Sequence, residues 1–408
     1  MTNRTDSKPA KLWPWILLAL LWVVAMLNYL DRQVIFSIFP LLQRDFNANS
    51  IQLGLTGTLF LLTYGLASPF AGFAADRFGQ GRVITSSLII WSASSLAAGH
   101  AHSIHQMLWT RAAMGLSEAF YIPAALGLLV KVHKERFRSL ASGIHQMGCY
   151  AGIIAGGTLG GMAEHDYSWR SLFSVLGLVG VIYSLVIWLV LRSHNKDRSD
   201  ATAALDFAGL LKSTALRVYT FVFMAFSVAT WMLYIWLPLY LYEHFHMSLI
   251  AAGFEATFWI QTASFIGAFA GGAIADRFAI RYRNARVIVQ ACGLGLAFPF
   301  LLLLSHTQSQ VVVVIALITV GFGRGCFDAN TAPILGHMIG VERCSSAYGI
   351  LNCAGCITAG LTTLFGGWLR QNLSFSLAFV AAGLVLCCGA LCLLYIAQTT
   401  NKQIPAAN

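Results

Sequence analysis

The sequence predicts an all-α membrane protein of twelve transmembrane helices, arranged as two six-helix bundles in parallel repeat. Three observations lead there: an apolar composition, twelve long apolar runs, and a set of motifs that occurs twice. Of 408 residues, 57% are hydrophobic and 10% charged, where a soluble domain carries about 25% charged residues. So little polar surface cannot cover a soluble fold of this size. The same hydrophobicity excludes a disordered chain. The 37 glycines against 9 prolines suit closely packed membrane helices.

A spanning helix needs about 20 apolar residues. Runs of that kind lie near 13–39, 51–75, 83–100, 104–131, 139–162, 170–191, 217–242, 249–275, 286–304, 310–338, 345–368 and 373–397. The first follows a polar segment containing Lys8 and Lys11. It is too long, and too plainly one of a series, to be a cleaved signal peptide. Basic residues set the orientation. With the N-terminus in the cytoplasm, 20 of the 26 Lys and Arg are cytoplasmic. Three (Arg44, Arg170, Arg370) are outside, and Arg32, Arg111 and Arg324 fall within spans. Both termini are therefore expected in the cytoplasm. The net charge of +10 forms no patch, so no nucleic-acid partner is expected. The nine cysteines lie in or beside apolar runs and read as small packing residues. Cys353 and Cys356 form a C-x-x-C with no second pair, and the histidines are scattered, so neither a metal nor a redox centre is expected.

The most polar connection runs from Arg192 to about Arg217. It divides the chain into a bundle over 1–191, a cytoplasmic linker over 192–216 and a bundle over 217–408. Internal similarity supports that division. Gly72-x-x-x-Asp76-Arg77-Phe78 follows the second run, and Gly272-x-x-x-Asp276-Arg277-Phe278 follows the eighth. Glu118 and Pro123 match Asp328 and Pro333. Glu135-Arg136 matches Glu342-Arg343, and Gly143 with Gln146 matches Gly349 with Asn352. Parallel repeats of this kind place a substrate site near the midplane between the halves and make rocking the transport motion.

Charges inside the hydrocarbon cost from roughly 3 to more than 10 kcal/mol, and they are functional by default. Seven stand within runs: Asp31, Arg32, Arg111, Glu118, Glu255, Arg324 and Asp328. Glu255 lies near an end, where it reaches water. Arg324 and Asp328 are four apart, the spacing of an intrahelical pair. Arg111 and Glu118 are two turns apart on one face. Asp31 and Arg32 point about 100° apart around the helix and need different partners. The simplest neutral arrangement pairs Asp31 with Arg111 and sets Arg32 beside Glu118. Arg32, whose fork matches a carboxylate, is the candidate anion anchor, with the Tyr29 hydroxyl one turn away. Glu118 is the candidate proton site, and Asp31 and Arg111 belong to the same charge set. Gln146 and Asn352, in matched positions of the two halves, are candidate substrate ligands. His145 is a weaker candidate for titration. Trp231, Tyr234 and Trp236 are aromatic candidates that read equally as interface anchors.

Together these residues resemble the major facilitator superfamily over nearly the whole chain. Its loop motif G-x-x-x-D-R-x-G-x-x-R is met by Gly72, Asp76, Arg77, Gly79 and Arg82. The second copy keeps Asp276 and Arg277 but has Ala279 in place of the second glycine. The resemblance implies a cytoplasmic latch that gates the carrier. It also implies a helix-packing seam at Gly148, Gly152, Gly156, Gly157, Gly160 and Gly161. Asn28-Tyr29-Leu30-Asp31-Arg32, with Arg111 seven residues before Glu118, is similar to the anion:cation symporters and more weakly to the spinster lysolipid carriers. The first resemblance implies proton-coupled symport of a small organic anion, such as a sugar acid, by a monomer in the inner membrane. The second implies a carrier of lysolipids or other amphiphiles. No G-x-S-x-G, H-E-x-x-H or Walker A motif points to an enzyme or a nucleotide, and no cofactor is expected. The expected partners are the substrate, a proton and the bilayer.

Overall fold

The computed structural model describes residues 12–163, 168–192, 207–282, 284–339 and 344–402, all of whose regular structure is helical. The first stretch holds α1 (Trp13–Ser37), α2 (Phe39–Phe46), α3 (Ser50–Phe78), α4 (Gln80–Gly99), α5 (Ile104–Glu118), α6 (Tyr121–Val132) and α7 (Glu135–Met162). Next come α8 (Trp169–Leu191), α9 (Phe207–Lys212), α10 (Thr214–His244) and α11 (Leu249–Ala279). The chain ends with α12 (Ala285–Leu304), α13 (Gln310–Ile339), α14 (Cys344–Asn372) and α15 (Phe375–Lys402). All twelve apolar runs are helical.

Local chemistry sets several boundaries. Asn49 opens α3 with a capping box, its side chain accepting from the Gln52 amide while Gln52 reaches back to the Asn49 amide. Ser103, Ser168, Ser213 and Ser248 cap α5, α8, α10 and α11. The fourth run is not one helix but two, separated at Ala119–Phe120. Pro123 lies just beyond the break and cannot donate to the Ala119 carbonyl, but proline alone does not force one, since its counterpart Pro333 lies inside the continuous α13. The break puts Glu118 at a helix end. Part of the expected linker, 193–206, lies outside the described residues; the rest carries α9 and the start of α10.

Among the described residues, ten helical segments are long and apolar enough to cross a membrane. Two further helices, α4 and α7, are 20 and 28 residues long. They are more polar, α4 through its serines and α7 through its glycines and basic start. Large apolar side chains face outward on many helices, among them Leu178, Ile182, Phe269 and Leu391, each at least half exposed. Such a surface suits lipid rather than water.

The helices pack in recurrent pairs: α1 along α7 and α10 along α14, α3 on α5 and α11 on α13, α4 on α8 and α12 on α15. Two further seams join α3 to α14 and α7 to α11. The glycines of α7 divide between two neighbours. A Cβ added at Gly152, Gly156 or Gly160 would lie within 3 Å of α1 backbone oxygens, whereas Gly157 and Gly161 meet α11 at Gly253 and Ile250. Small residues thus let α7 touch both helices backbone to backbone.

Both seams are tight at one end. There a Cβ on Gly253 would come 2.1 Å from the Gly157 oxygen, and one on Gly367 2.5 Å from the Ser50 oxygen. Arg370 of α14 donates to Glu243 of α10, to Ser50 Oγ at 2.7 Å and to Gln43 Oε1 at 3.3 Å. Toward the other end, the Asn352 amide donates to Ser68 Oγ at 3.1 Å. Beyond that bond the seams part. Among the described residues, a Cβ added at Gly72, Gly143, Gly336 or Gly349 would meet nothing within 4 Å. The Arg370 end is sealed and the Gly72 end is splayed.

The sealed end yields a direct test. Gly253→Val should hold α7 and α11 apart, since backbone cannot yield as a flexible side chain does. A cysteine placed at Ser37, which is buried beside that contact, should then react with a water-soluble maleimide, in a background lacking the native cysteines. It should stay unreactive when Gly253 is kept. Equal protection in both would show that the contact is not what closes this end.

Candidate functional site

Four of the intramembrane charges meet inside the bundle formed by α1, α3, α4, α5 and α7. Arg32 on α1 donates from Nη2 to Glu118 Oε2 at 2.9 Å and from Nε to the same oxygen at 3.2 Å. It also donates from Nη2 to Asn28 Oδ1 at 3.4 Å. Its guanidinium is surrounded by the rings of Tyr29, Phe60 and Tyr64, with centroids 4.5, 4.8 and 4.9 Å away. Aromatic faces attract a desolvated cation, so the rings help to hold a charge that the bilayer would otherwise expel. Glu118 is completely buried, and its Oε1 has no hydrogen-bond partner among the described residues. One carboxylate oxygen therefore carries the whole pair.

The expected pairing of Asp31 with Arg111 does not form. Asp31 instead accepts from Ser95 Oγ on α4 at 3.2 Å. Arg111 is fully buried, its guanidinium 4.8 Å from the Phe60 ring centroid. Among the described residues it donates only to the Met114 sulfur, at 3.5 Å, and its Nε and Nη2 have no partner. The cause is directional. Asp31 faces α4, where a serine-rich helix offers a hydroxyl, and Arg111 faces the aromatic side of α3. His145 on α7 is buried too. Tyr121 donates its hydroxyl hydrogen to the Leu21 carbonyl, so its oxygen accepts from His145 Nε2 at 2.8 Å.

Across the seam lies a second charge pair. Arg324 Nε is 3.4 Å from Asp328 Oδ2 on the same face of α13. Arg324 Nη1 donates to Gln261 Oε1 at 3.2 Å, and Gln261 donates to the Tyr234 hydroxyl at 2.7 Å. The guanidinium sits 4.9 Å from the Tyr234 ring centroid.

Between the two groups is a cavity of about 140 Å³, whose wall includes Arg32, Tyr64, Trp231, Arg324, Asp328 and Asn352. Tyr29 and Tyr234 also face it. Of the sequence candidates, the cavity thus gathers Tyr29, Arg32, Asn352, Arg324, Asp328, Trp231 and Tyr234. Glu118 sits one layer behind Arg32. Asp31, Arg111 and Gln146 are not part of the wall. Trp236 is a packing residue, donating to the Thr363 carbonyl at 3.2 Å. Phe60, Tyr64, Gln33 and Gln261 were not singled out from the sequence. Phe60 and Tyr64, four apart on α3, carried a usable signal: two aromatics on one helical face opposite an intramembrane arginine.

The loop motifs lie at the splayed end. Gly79 closes α3 at φ 89°, a backbone that a side chain adopts only under strain, and its amide donates to the Ala75 carbonyl at 3.1 Å. Gly72, Arg77 and Arg82 are exposed; the side chain of Asp76 lies outside the described residues. In the second copy, Ala279 takes the place of that glycine and α11 runs on through it. Asp276 Oδ1 accepts from Arg286 Nη2 at 2.8 Å, and Arg286 Nη1 donates to His337 Nε2 at 3.1 Å. Arg277 is exposed.

A multi-helix apolar body with charged side chains around an internal cavity is the architecture of a polytopic membrane protein with a central site. The sequence profile of the Major Facilitator Superfamily matches residues 21–325 and 255–408, and the chain belongs to that superfamily. It is 24% identical over 428 residues to a probable galactarate/D-glucarate transporter of Escherichia coli, covering 95% of this chain and 96% of that one. It is 26% identical over 252 residues to a sphingosine-1-phosphate transporter of Xenopus tropicalis, covering 59% of this chain and 49% of that one. The fold is that of a bacterial homolog of the human lysosomal transporter Spinster, crystallised in an inward-facing and occupied conformation. There the TM-score is 0.81 at 18% identity, over 98% of this chain and all of the other.

Proposed function

We propose that the chain is a proton-coupled symporter of a small organic anion, a carboxylate of the sugar-acid type. It works as twelve spans in two six-helix halves, 1–191 and 217–408, that rock about the α3–α14 and α7–α11 seams. The recurrent helix pairs support the two halves. The basic-residue bias supports cytoplasmic termini, which makes the splayed end the cytoplasmic one. The surroundings are an inner membrane and the unit a monomer.

The observation that carries this reading is Arg32 at the cavity wall, held by one oxygen of a buried acid. A substrate carboxylate competes with Glu118 for the guanidinium fork. When it wins, Glu118 loses its cation in a medium of low dielectric, where a lone carboxylate is costly. A proton then relieves it. Binding of anion and proton become mutually favourable, which is thermodynamic coupling. Tyr29 and Asn352 supply hydrogen bonds from the two halves. Asp31 and Arg111 act behind them as a charge reserve, and Gln146 contributes from α7 as the halves move. The motifs at Gly72–Arg82 and at Asp276–Arg277 gate the cytoplasmic end.

The name of the galactarate/D-glucarate relative supports a sugar acid. The amphiphile reading, which the spinster likeness favours, fits the cavity less well. Its wall mixes the charged Arg32, Arg324 and Asp328 with apolar side chains such as Leu61, Ile153 and Phe223, and an alkyl tail would leave those charges unanswered. Purified protein in liposomes decides the matter. Labelled sugar acids should accumulate when the outside is made acidic and only equilibrate without the gradient. Movement of a lysophospholipid with no sugar-acid uptake would overturn the proposal.

A further inference from the structure

The cavity presents two guanidinium groups, not one, and they come from opposite sides. Arg32 stands on α1 and Arg324 on α13, and both face the same space of about 140 Å³. Neither is fully committed. Arg32 uses Nε and Nη2 toward Glu118 and Asn28, leaving Nη1 outside those bonds. Arg324 gives Nη1 to the neutral amide oxygen of Gln261, leaving Nη2 outside it. Its contact with Asp328 runs through Nε at 3.4 Å, and Nε makes no hydrogen bond among the described residues. The Arg324 pair is therefore looser than the Arg32 pair, and Asp328 is itself partly open to the cavity, with 36% of its side chain exposed.

We propose that the site reads a substrate at both ends: Arg32 takes one carboxylate, Arg324 takes the other, and the preferred substrate is a short diacid. This rests on the organic-anion reading above and narrows it. A monoacid would meet Arg32 alone and leave Arg324 facing an uncharged chain end. A diacid satisfies both forks by charge-assisted hydrogen bonds. It also ties α1 of one half to α13 of the other, so a doubly anchored substrate draws the halves together. Tyr234 completes the second end: it lies under the Arg324 guanidinium and receives a hydrogen bond from Gln261. Those contacts fix where the fork points.

The test compares a six-carbon aldonate with the aldarate of the same configuration. Each is titrated against purified protein by thermal-shift binding and by counterflow in liposomes. The parent should bind the aldarate roughly ten- to a hundredfold more tightly, the worth of one additional charged hydrogen-bonded pair. Arg324→Gln should bring aldarate affinity down to that of the aldonate and leave the aldonate within about twofold. Arg324→Lys keeps a cation beside Asp328 where Gln leaves that acid unpaired. It should lose most of the preference through loss of the fork. Equal affinity for the two acids in the parent would overturn the proposal. So would a variant that weakens both acids alike while its unfolding temperature is unchanged. Failure of the parent to bind either acid would instead overturn the organic-anion reading, and this inference with it.

Discussion

Glu118→Gln should give a carrier that still binds substrate and still exchanges it for substrate, yet cannot accumulate it against a pH gradient. Glutamine keeps the size of the acid and a carbonyl oxygen for Arg32, but it has no proton to gain or lose. It imitates the state in which the proton has already arrived. Exchange needs only the loaded carrier to change face, so it survives; accumulation needs a proton to enter on one side and leave on the other. Arg32 should also bind anions somewhat more tightly in the variant, since an amide competes for it less than a carboxylate does. Counterflow at symmetrical pH and uptake under an imposed gradient separate the two activities in one preparation. Retained pH-driven accumulation would move the coupling site elsewhere, with Asp31 and Asp328 next in line.

Arg32→Lys should weaken substrate binding by roughly ten- to a hundredfold, with the fold intact. A lysine keeps the charge beside Glu118 but cannot offer two parallel hydrogen bonds to a carboxylate. Arg32→Ala should abolish binding, and it leaves Glu118 buried without a cation, at a cost of about 3–5 kcal/mol. Loss of stability could therefore pass for loss of a ligand. The double variant Arg32→Ala with Glu118→Gln removes that ambiguity, because no buried charge remains unpaired. It should unfold at a higher temperature than Arg32→Ala alone and still fail to bind. If the double variant binds normally, Arg32 is a packing residue and the anchor lies elsewhere.

Much of the architecture was legible in the residues because the bilayer permits few solutions. Apolar runs of the right length have to be helices there, and each run is helical. Interruptions were harder to read. Hydropathy passes smoothly through Ala119 and Phe120, and Pro123 alone did not mark the break behind Glu118, since Pro69, Pro238, Pro299 and Pro333 interrupt no helix. In the site, the Arg32–Glu118 contact followed from residue types and charge balance. The Asp31–Arg111 contact failed for the same reason that it looked attractive. Charge balance says nothing about where a helix points its side chains, and Ser95 offered Asp31 a neutral partner. Phe60 and Tyr64 were legible only as two aromatics on one face of α3; that Phe60 lies against both Arg32 and Arg111, and Tyr64 against Arg32 at the cavity wall, required the neighbours. The glycines of α7 were recognisable as a seam, but their division between α1 and α11 required the neighbours.

One consequence of the sealed Arg370 end is electrical. A membrane voltage falls across whatever layer excludes water. With the Gly72 end splayed, that layer is only the stretch between the cavity and the contacts of Arg370, Ser50 and Gly253. A charged molecule entering through the open end crosses little of the field, and the change of face carries it through nearly all. Voltage should therefore act on turnover and hardly on binding. The formal charges of Asp31, Arg32, Arg111, Glu118, Arg324 and Asp328 sum to zero, so the empty carrier should return at a rate indifferent to voltage. A diacid accompanied by one proton moves a single negative charge, worth about 2.3 kcal/mol per 100 mV; a second proton makes the loaded step silent. On the proposed proton-coupled diacid mechanism, the current that accompanies each substrate molecule should count its protons.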